Sequence, residues 1–203
     1  MLITTSAGKI ANQVKSKPGS VFAYPTETFY GLGCPITDAL ATMRIIKIKG
    51  RDAAKGLIVL AADMPQVKAL AEIDSRQESL LCHFWPGALS AVLKCNKGSH
   101  EPAQFIQNGT IAIRVSPEPL ATELARLLGP IISTSANPSG MKPADCAEDV
   151  LSYGLNIDAI LDGGKTPGGS SSTLIYLTDR VPVCLRQGVI PFEKVLEYWN
   201  SLE

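Results

Sequence analysis

Apolar residues recur along the chain in short runs that alternate with longer stretches of helical spacing. Val21-Phe22-Ala23-Tyr24 is a continuous apolar run stopped by Pro25, the pattern of a buried strand. Leu57 to Ala61, Ala88 to Leu93, Ile111 to Val115, Ile131-Ile132, Ala159 to Leu161, Thr173 to Leu177 and Val181 to Leu185 read the same way. Between them, residues 6–16, 65–84 and 144–152 suit helices. Thr37 is placed to cap a helix that carries Leu40, Met43 and Ile46 on one face and stops at Gly50. Ser116-Pro117 opens another, with Leu120, Ala121, Leu124, Leu127 and Leu128 at helical spacing before Gly129-Pro130. Pro191 starts the last, with Phe192, Val195, Leu196, Trp199 and Leu202 on one face. Strands that alternate with helices and then cluster predict a mixed sheet covered by helices on both faces.

Length and charge narrow the picture. The 203 residues suffice for one domain with a proper core, here expected over 1–203, or two small ones. Lys plus Arg equals Asp plus Glu at 19 each, so a protein that coats nucleic acid by bulk charge is not expected. No apolar stretch reaches the roughly 18 residues a membrane helix needs, and no secretory leader is visible; the expected location is cytoplasmic. Cys34, Cys82, Cys95, Cys146 and Cys184 are odd in number and lack a Cys-x-x-Cys, and His83 and His100 show no metal spacing. No protein-bound metal is expected. Gly164-Lys165-Thr166 imitates the end of a phosphate-binding loop, but Ala159 stands where that motif needs glycine. His83, beside Phe84-Trp85, reads as a packing or surface histidine.

Four segments place polar groups directly after apolar strands, where sites in such sheets usually lie. Pro25-Thr26-Glu27-Thr28-Phe29-Tyr30-Gly31 offers two threonine hydroxyls, a carboxylate and a phenol. Arg44 to Lys55 holds Arg44, Lys47, Lys49, Arg51 and Lys55 against Asp52 alone. An anion such as phosphate would relieve the repulsion between Lys49 and Arg51; cations at a helix C-terminus, or a solvated face, would equally explain them. Ser133-Thr134-Ser135-Ala136-Asn137 carries three hydroxyls and an amide, fit for phosphate or ribose oxygens or for an ordinary turn. Arg114 sits inside an apolar strand, which is costly unless a carboxylate or ligand pairs with it. Nothing in the sequence says what the loop Gly168 to Thr173 faces.

Together with Trp85-Pro86-Gly87, Asp162-Gly163-Gly164, Ser172-Thr173 and Leu185-Arg186-Gln187-Gly188, these pieces resemble, in order, the YrdC family of L-threonylcarbamoyladenylate synthases. The resemblance implies an α+β fold of the YrdC/RibB-like type, a three-layer, twisted mixed sheet with helices on both faces and a cationic cleft. It implies the conversion of ATP, bicarbonate and L-threonine to threonylcarbamoyl-adenylate and pyrophosphate. Other proteins, threonylcarbamoyl transferases, would then modify tRNA. Mg2+ would accompany ATP, weak RNA or tRNA binding is left open, and no membrane is involved.

The resemblance also implies roles. Lys49, Arg51, Ser135 and Asn137 match the family signature, the two cations on the ATP phosphates and the other two on nucleotide oxygens. Thr26, Thr28 and Tyr30 would line the threonine side, and Arg114 would meet the threonine carboxylate or the carbamate. Thr110, Ser133, Ser172 and Arg186 would be further contacts to the adenylate, and Lys55 would add to the substrate site. Asp52, Gly56, Leu60 and Gln187 depart from common family residues, Leu60 where some relatives carry a substrate-side histidine. The chain reads as the short, single-domain form. Two other readings stand beside this one: a carbamoyl-transfer domain of the hydrogenase-maturation type, and a non-catalytic RNA-binding module.

Overall fold

The computed structural model describes residues 1–50, 57–96 and 108–202. In it the apolar runs become eleven strands of one mixed sheet. In chain order they are β1 (Leu2–Thr4), β2 (Phe22–Tyr24), β3 (Gly31–Gly33), β4 (Ile58–Ala61), β5 (Ala71–Glu72), β6 (Leu89–Cys95), β7 (Thr110–Val115), β8 (Ile131–Ser135), β9 (Ala159–Leu161), β10 (Thr173–Tyr176) and β11 (Val183–Arg186). The helices are α1 (Ala7–Ser16), α2 (Ala39–Lys49), α3 (Met64–Leu70), α4 (Ser75–Phe84), α5 (Pro119–Leu128), α6 (Ala147–Ser152) and α7 (Phe192–Ser201). Across the sheet the order is β1-β9-β2-β3-β8-β4-β7-β6-β10-β11, with β5 on the side of β6.

The parity of side chains along the strands shows the layers. Phe22, Tyr24, Leu60, Ile131, Ala159 and Leu161 pack with Ile10 and Val14 of α1 and Leu124 of α5. Their chain neighbours Ala23, Val59, Ile132 and Ile160 belong to a second cluster with Ile45 of α2, Leu80 of α4, Val150 of α6 and Trp199 of α7. Successive residues of a strand point to opposite faces, so helices cover both. This is the three-layer α+β arrangement that the sequence predicts.

Three local expectations are corrected. The cap of α2 is Asp38, not Thr37; its carboxylate takes the Ala41 N–H at 2.9 Å and, from outside the helix, the Gly19 N–H at 2.7 Å. The buried face of α2 is Ala41, Thr42, Ile45 and Lys49, while Leu40 and Met43 are 68% and 58% exposed. Apolar spacing alone misplaces this helix because a buried lysine, not a leucine, completes its inner stripe. Helix α5 begins at Pro119 under a Glu118 cap, leaving Ser116 for another partner. Three short strands also escape periodicity, one of them β5, which lies within the stretch 65–84 read as helical. β1 is three residues long, and β3 is Gly-Leu-Gly, admitted because Tyr24, Phe22 and the Ile132 carbonyl leave no room for a Cβ at Gly33.

Asp158 closes the far end of the sheet. Its carboxylate contacts Lys17 Nζ at 2.7 Å and Arg44 Nη1 at 2.6 Å, and accepts the Val21 N–H at 3.0 Å. Burial alone would raise its pKa, but Lys17, the Val21 amide and Arg44 together bring it down from 3.8 to about 2. The stability from this cluster is therefore complete above about pH 4 and lost as the pH falls through about 2. Asp158→Asn should cost about 1.5–3 kcal/mol at pH 7 and flatten that acid limb. Urea unfolding of both proteins between pH 2 and 7 checks it; an unchanged acid limb would remove Asp158 from the account.

Candidate functional site

Register brings the polar strand ends together. Ser133 of β8, Ile58 of β4, Ala112 of β7 and Val92 of β6 form one lateral row, and all four line a cavity of about 330 Å3. The cavity lies on the sheet face that α1 and α5 cover only in part: Arg114, in its wall, is the cross-strand neighbour of Leu60, which packs in the cluster of those helices. The loop after β2 closes one side, with Thr26, Thr28, Phe29 and Tyr30. The segment before β10 and the end of β11 close the other, with Ser171, Ser172, Leu185 and Arg186.

Of the sequence-predicted residues, Thr26, Thr28, Tyr30, Thr110, Arg114, Ser133, Ser135, Ser172 and Arg186 line this cavity. Lys49 and Asn137 stand behind the wall and join it through Ser135. The Lys49 ammonium, with the residue 2% exposed, donates to Ser135 O (2.8 Å), Ser135 Oγ (3.2 Å), Asn137 O (2.6 Å) and Asn137 Oδ1 (3.1 Å). The Asn137 amide donates to Pro138 O at 3.0 Å and to Met141 O. Ser139 Oγ donates to Lys49 O. The lysine thus binds its own signature partners directly. Arg51 and Lys55 lie outside the described residues.

The threonine turn has a fixed polarity. Thr26 Oγ1 gives its single proton to Phe29 O at 2.7 Å and accepts the N–H groups of Thr28 and Phe29. It also lies 3.1 Å from Thr28 Oγ1, and both threonines line the cavity. The Tyr30 hydroxyl donates to Gly164 O (2.8 Å) and accepts the Gly163 N–H (3.1 Å). Burial pushes this phenol up to about 12, so it stays protonated at neutral pH. Its oxygen is occupied in holding the Asp162–Gly164 turn.

Sequence reasoning missed three features. Glu27 meets Arg114 Nη1 at 3.0 Å; the unpaired arginine in an apolar strand was the available signal, and the carboxylate stood in a segment already singled out. Ser90 Oγ lies 2.9 Å from Ser172 Oγ, and Arg186 donates to Ser172 O at 2.9 Å. The loop before β10 faces the threonine turn, its Gly168 N–H donating to Thr28 O at 2.8 Å. Only tertiary pairing reveals these. His83 stacks on Tyr198 at 3.8 Å, in keeping with a packing role.

Among the described residues the cavity lining includes eight Ser or Thr residues and two arginines, and no Asp or Glu. It suits an anionic or strongly hydrogen-bonding ligand. Asp145, Cys146 and Asp149 place ligand atoms within 4.8 Å of one another away from this wall, but Asp149 accepts the Asp145 N–H at 3.2 Å and Asp145 faces Lys142.

Comparison with known proteins gives this cavity a lineage. A family model, Sua5/yciO/yrdC, described as telomere recombination, matches residues 15–188. Threonylcarbamoyl-AMP synthase of Bacillus subtilis (strain 168) is 38% identical over 183 residues, which are 88% of this chain and 53% of that protein. The protein of that name from Chromohalobacter salexigens is 40% identical over 172 residues, 83% of this chain and 92% of the relative. The crystal structure of Pyrococcus abyssi Sua5 complexed with L-threonine superposes with a TM-score of 0.87 at 36% identity, covering 98% of this chain and 60% of that one. The chain thus spans about half the length of the Bacillus relative and nearly all of the Chromohalobacter one. With a family match running from the end of α1 to just past β11, and the same fold as Sua5, this chain belongs to the Sua5/YciO/YrdC family.

Proposed function

We propose that the chain joins ATP, bicarbonate and L-threonine into threonylcarbamoyl-adenylate with release of pyrophosphate. The observation that carries this reading is the cavity wall itself, neutral hydroxyl groups around two guanidiniums, in a chain so similar to threonylcarbamoyl-AMP synthases. The threonine ammonium first gives up a proton to bicarbonate or solvent, and the free amine and bicarbonate then form a carbamate with loss of water. A carbamate oxygen then attacks the ATP α-phosphorus, and the bond to pyrophosphate breaks. Carbamates decompose in water, so the intermediate has to be held beside the phosphate in a site that limits water.

Each wall group has a task in this scheme. Arg114 meets the threonine carboxylate, and the Thr26–Thr28 turn lines the amino-acid side. Ser133, Ser135, Thr110, Ser172 and Arg186 hold the nucleotide. Lys49 fixes Ser135 and Asn137 and adds its charge at that end of the cavity; by the family resemblance Arg51 would neutralise the phosphates as pyrophosphate leaves, and Lys55 would add to the substrate site. Mg2+ bound to the triphosphate supplies further charge neutralisation. The product would be consumed in the cytoplasm by threonylcarbamoyl transferases that act on tRNA.

The test is pyrophosphate release with threonine and bicarbonate omitted in turn. Release should require both; release indifferent to threonine would overturn the reading. Lys49→Ala should lower turnover roughly 10²–10³-fold, the scale of losing one preorganised electrostatic group. The sequence alone predicts little effect on folding, but the burial of Lys49 and its four acceptors revise that. Its midpoint of thermal unfolding should fall by about 5 °C as well. Turnover near that of the unmutated protein, measured below both midpoints, would exclude the role.

A further inference from the structure

Arg114 presents a guanidinium to the cavity that its protein partners leave partly unsaturated. Nη1 lies 3.0 Å from Glu27 Oε1, and Nη2 donates a long hydrogen bond of 3.4 Å to Ser133 Oγ. Nε is buried with no hydrogen-bond partner among the described residues. The contact with Glu27 has the distance of an ion pair but not the alignment of a hydrogen bond, and Oε1 has no hydrogen-bond partner either. Glu27 Oε2 takes the Ser116 hydroxyl, and Ser116 Oγ accepts the Glu118 N–H at 3.1 Å. A relay therefore runs from the start of α5 through Ser116 and Glu27 to Arg114.

Glu27 does not line the cavity. It stands between two threonines that do, behind the arginine that does. A carboxylate in that place restrains the rotation of the guanidinium and balances its charge while the cavity is empty. It leaves Nη2, whose bond to Ser133 is long at 3.4 Å, available to a carboxylate ligand in the cavity.

We propose that Glu27 is a positioning residue that orients Arg114 toward the carboxylate of the amino-acid substrate. This rests on the role given to Arg114 above. It predicts that loss of Glu27 harms the recognition of a carboxylate and leaves an uncharged analogue almost unaffected.

The measurement is kcat/KM for pyrophosphate release with L-threonine and with L-threoninamide, which keeps the amine and hydroxyl but lacks the carboxylate charge. Glu27→Gln should lower kcat/KM for threonine about 10- to 100-fold, chiefly through KM, and change that for the amide by at most about threefold. The KM for ATP should stay put. Equal losses for the two substrates, or a loss in kcat alone, would mean a structural role and overturn the proposal. Arg114→Ala separates the two layers of the argument. If it fails to lower the preference for threonine over the amide, the role of Arg114 is wrong and the proposal goes with it. If it does so while Glu27→Gln does not, only the proposal for Glu27 fails. Should Glu27→Gln not fold, Ser116→Ala keeps both charges and removes only the hydroxyl that steadies the carboxylate. A selective loss of about three- to tenfold for threonine then supports the proposal, and an equal loss for both substrates defeats it.

Discussion

A buried ammonium group organises the functional half of this molecule. Lys49 sits at the last turn of α2, where Gly50 adopts a left-handed conformation and ends the helix. Removing such a charge from water costs several kcal/mol unless hydrogen bonds replace the lost hydration. Here the carbonyl and side-chain oxygens of Ser135 and Asn137 surround it. The helix end is thereby tied to the exit of β8. Ser135 in turn is the cross-strand neighbour of Gly31, and Ala136 N–H bonds Tyr30 O at 2.8 Å. The lysine, the serine-rich strand end and the threonine turn are in this way one connected body, and the cavity is the space between that body and β10–β11.

The cavity exists because the helices on its face stop short. α1 and α5 fill the face over β9, β2, β8 and the Leu60 end of β4. Beyond them the same face carries Ser133, Thr110, Arg114 and Ser172 among the aliphatic Ile58, Ala112 and Val92. A buried arginine on that face is tolerable because Glu27 lies beside it. The ion pair joins β7 to the threonine turn, so the feature that makes Arg114 affordable also places it in the wall.

The limits of pattern reading are clearest in α2. Leu40 and Met43 look like its core face, yet Ala41, Thr42, Ile45 and Lys49 are the buried set. Small residues and a hydrogen-bonded lysine carry no signal in hydrophobic spacing, so the helix is found and its rotation is not. β3 is similar: Gly31-Leu32-Gly33 has almost no strand propensity, and it forms because β2 and β8 each provide an antiparallel partner and the ring of Tyr24 fills the space above the glycines. Glu27 and Arg114 were both conspicuous, one in a polar turn and one in an apolar strand. Their 87-residue separation in sequence hid the pairing.

What the sequence determined by itself was the inventory: strand and helix segments, their alternation around a mixed sheet, and the polar groups at strand ends. Those follow from local periodicity, capping residues and the cost of burying charge. Which face of α2 turns inward, which carboxylate meets Arg114, and the approach of the Gly168–Thr173 loop to Thr28 and Ser90 were decided only in the tertiary structure. Each depends on contacts between segments far apart in the chain, and such contacts are set by the packing of the whole sheet.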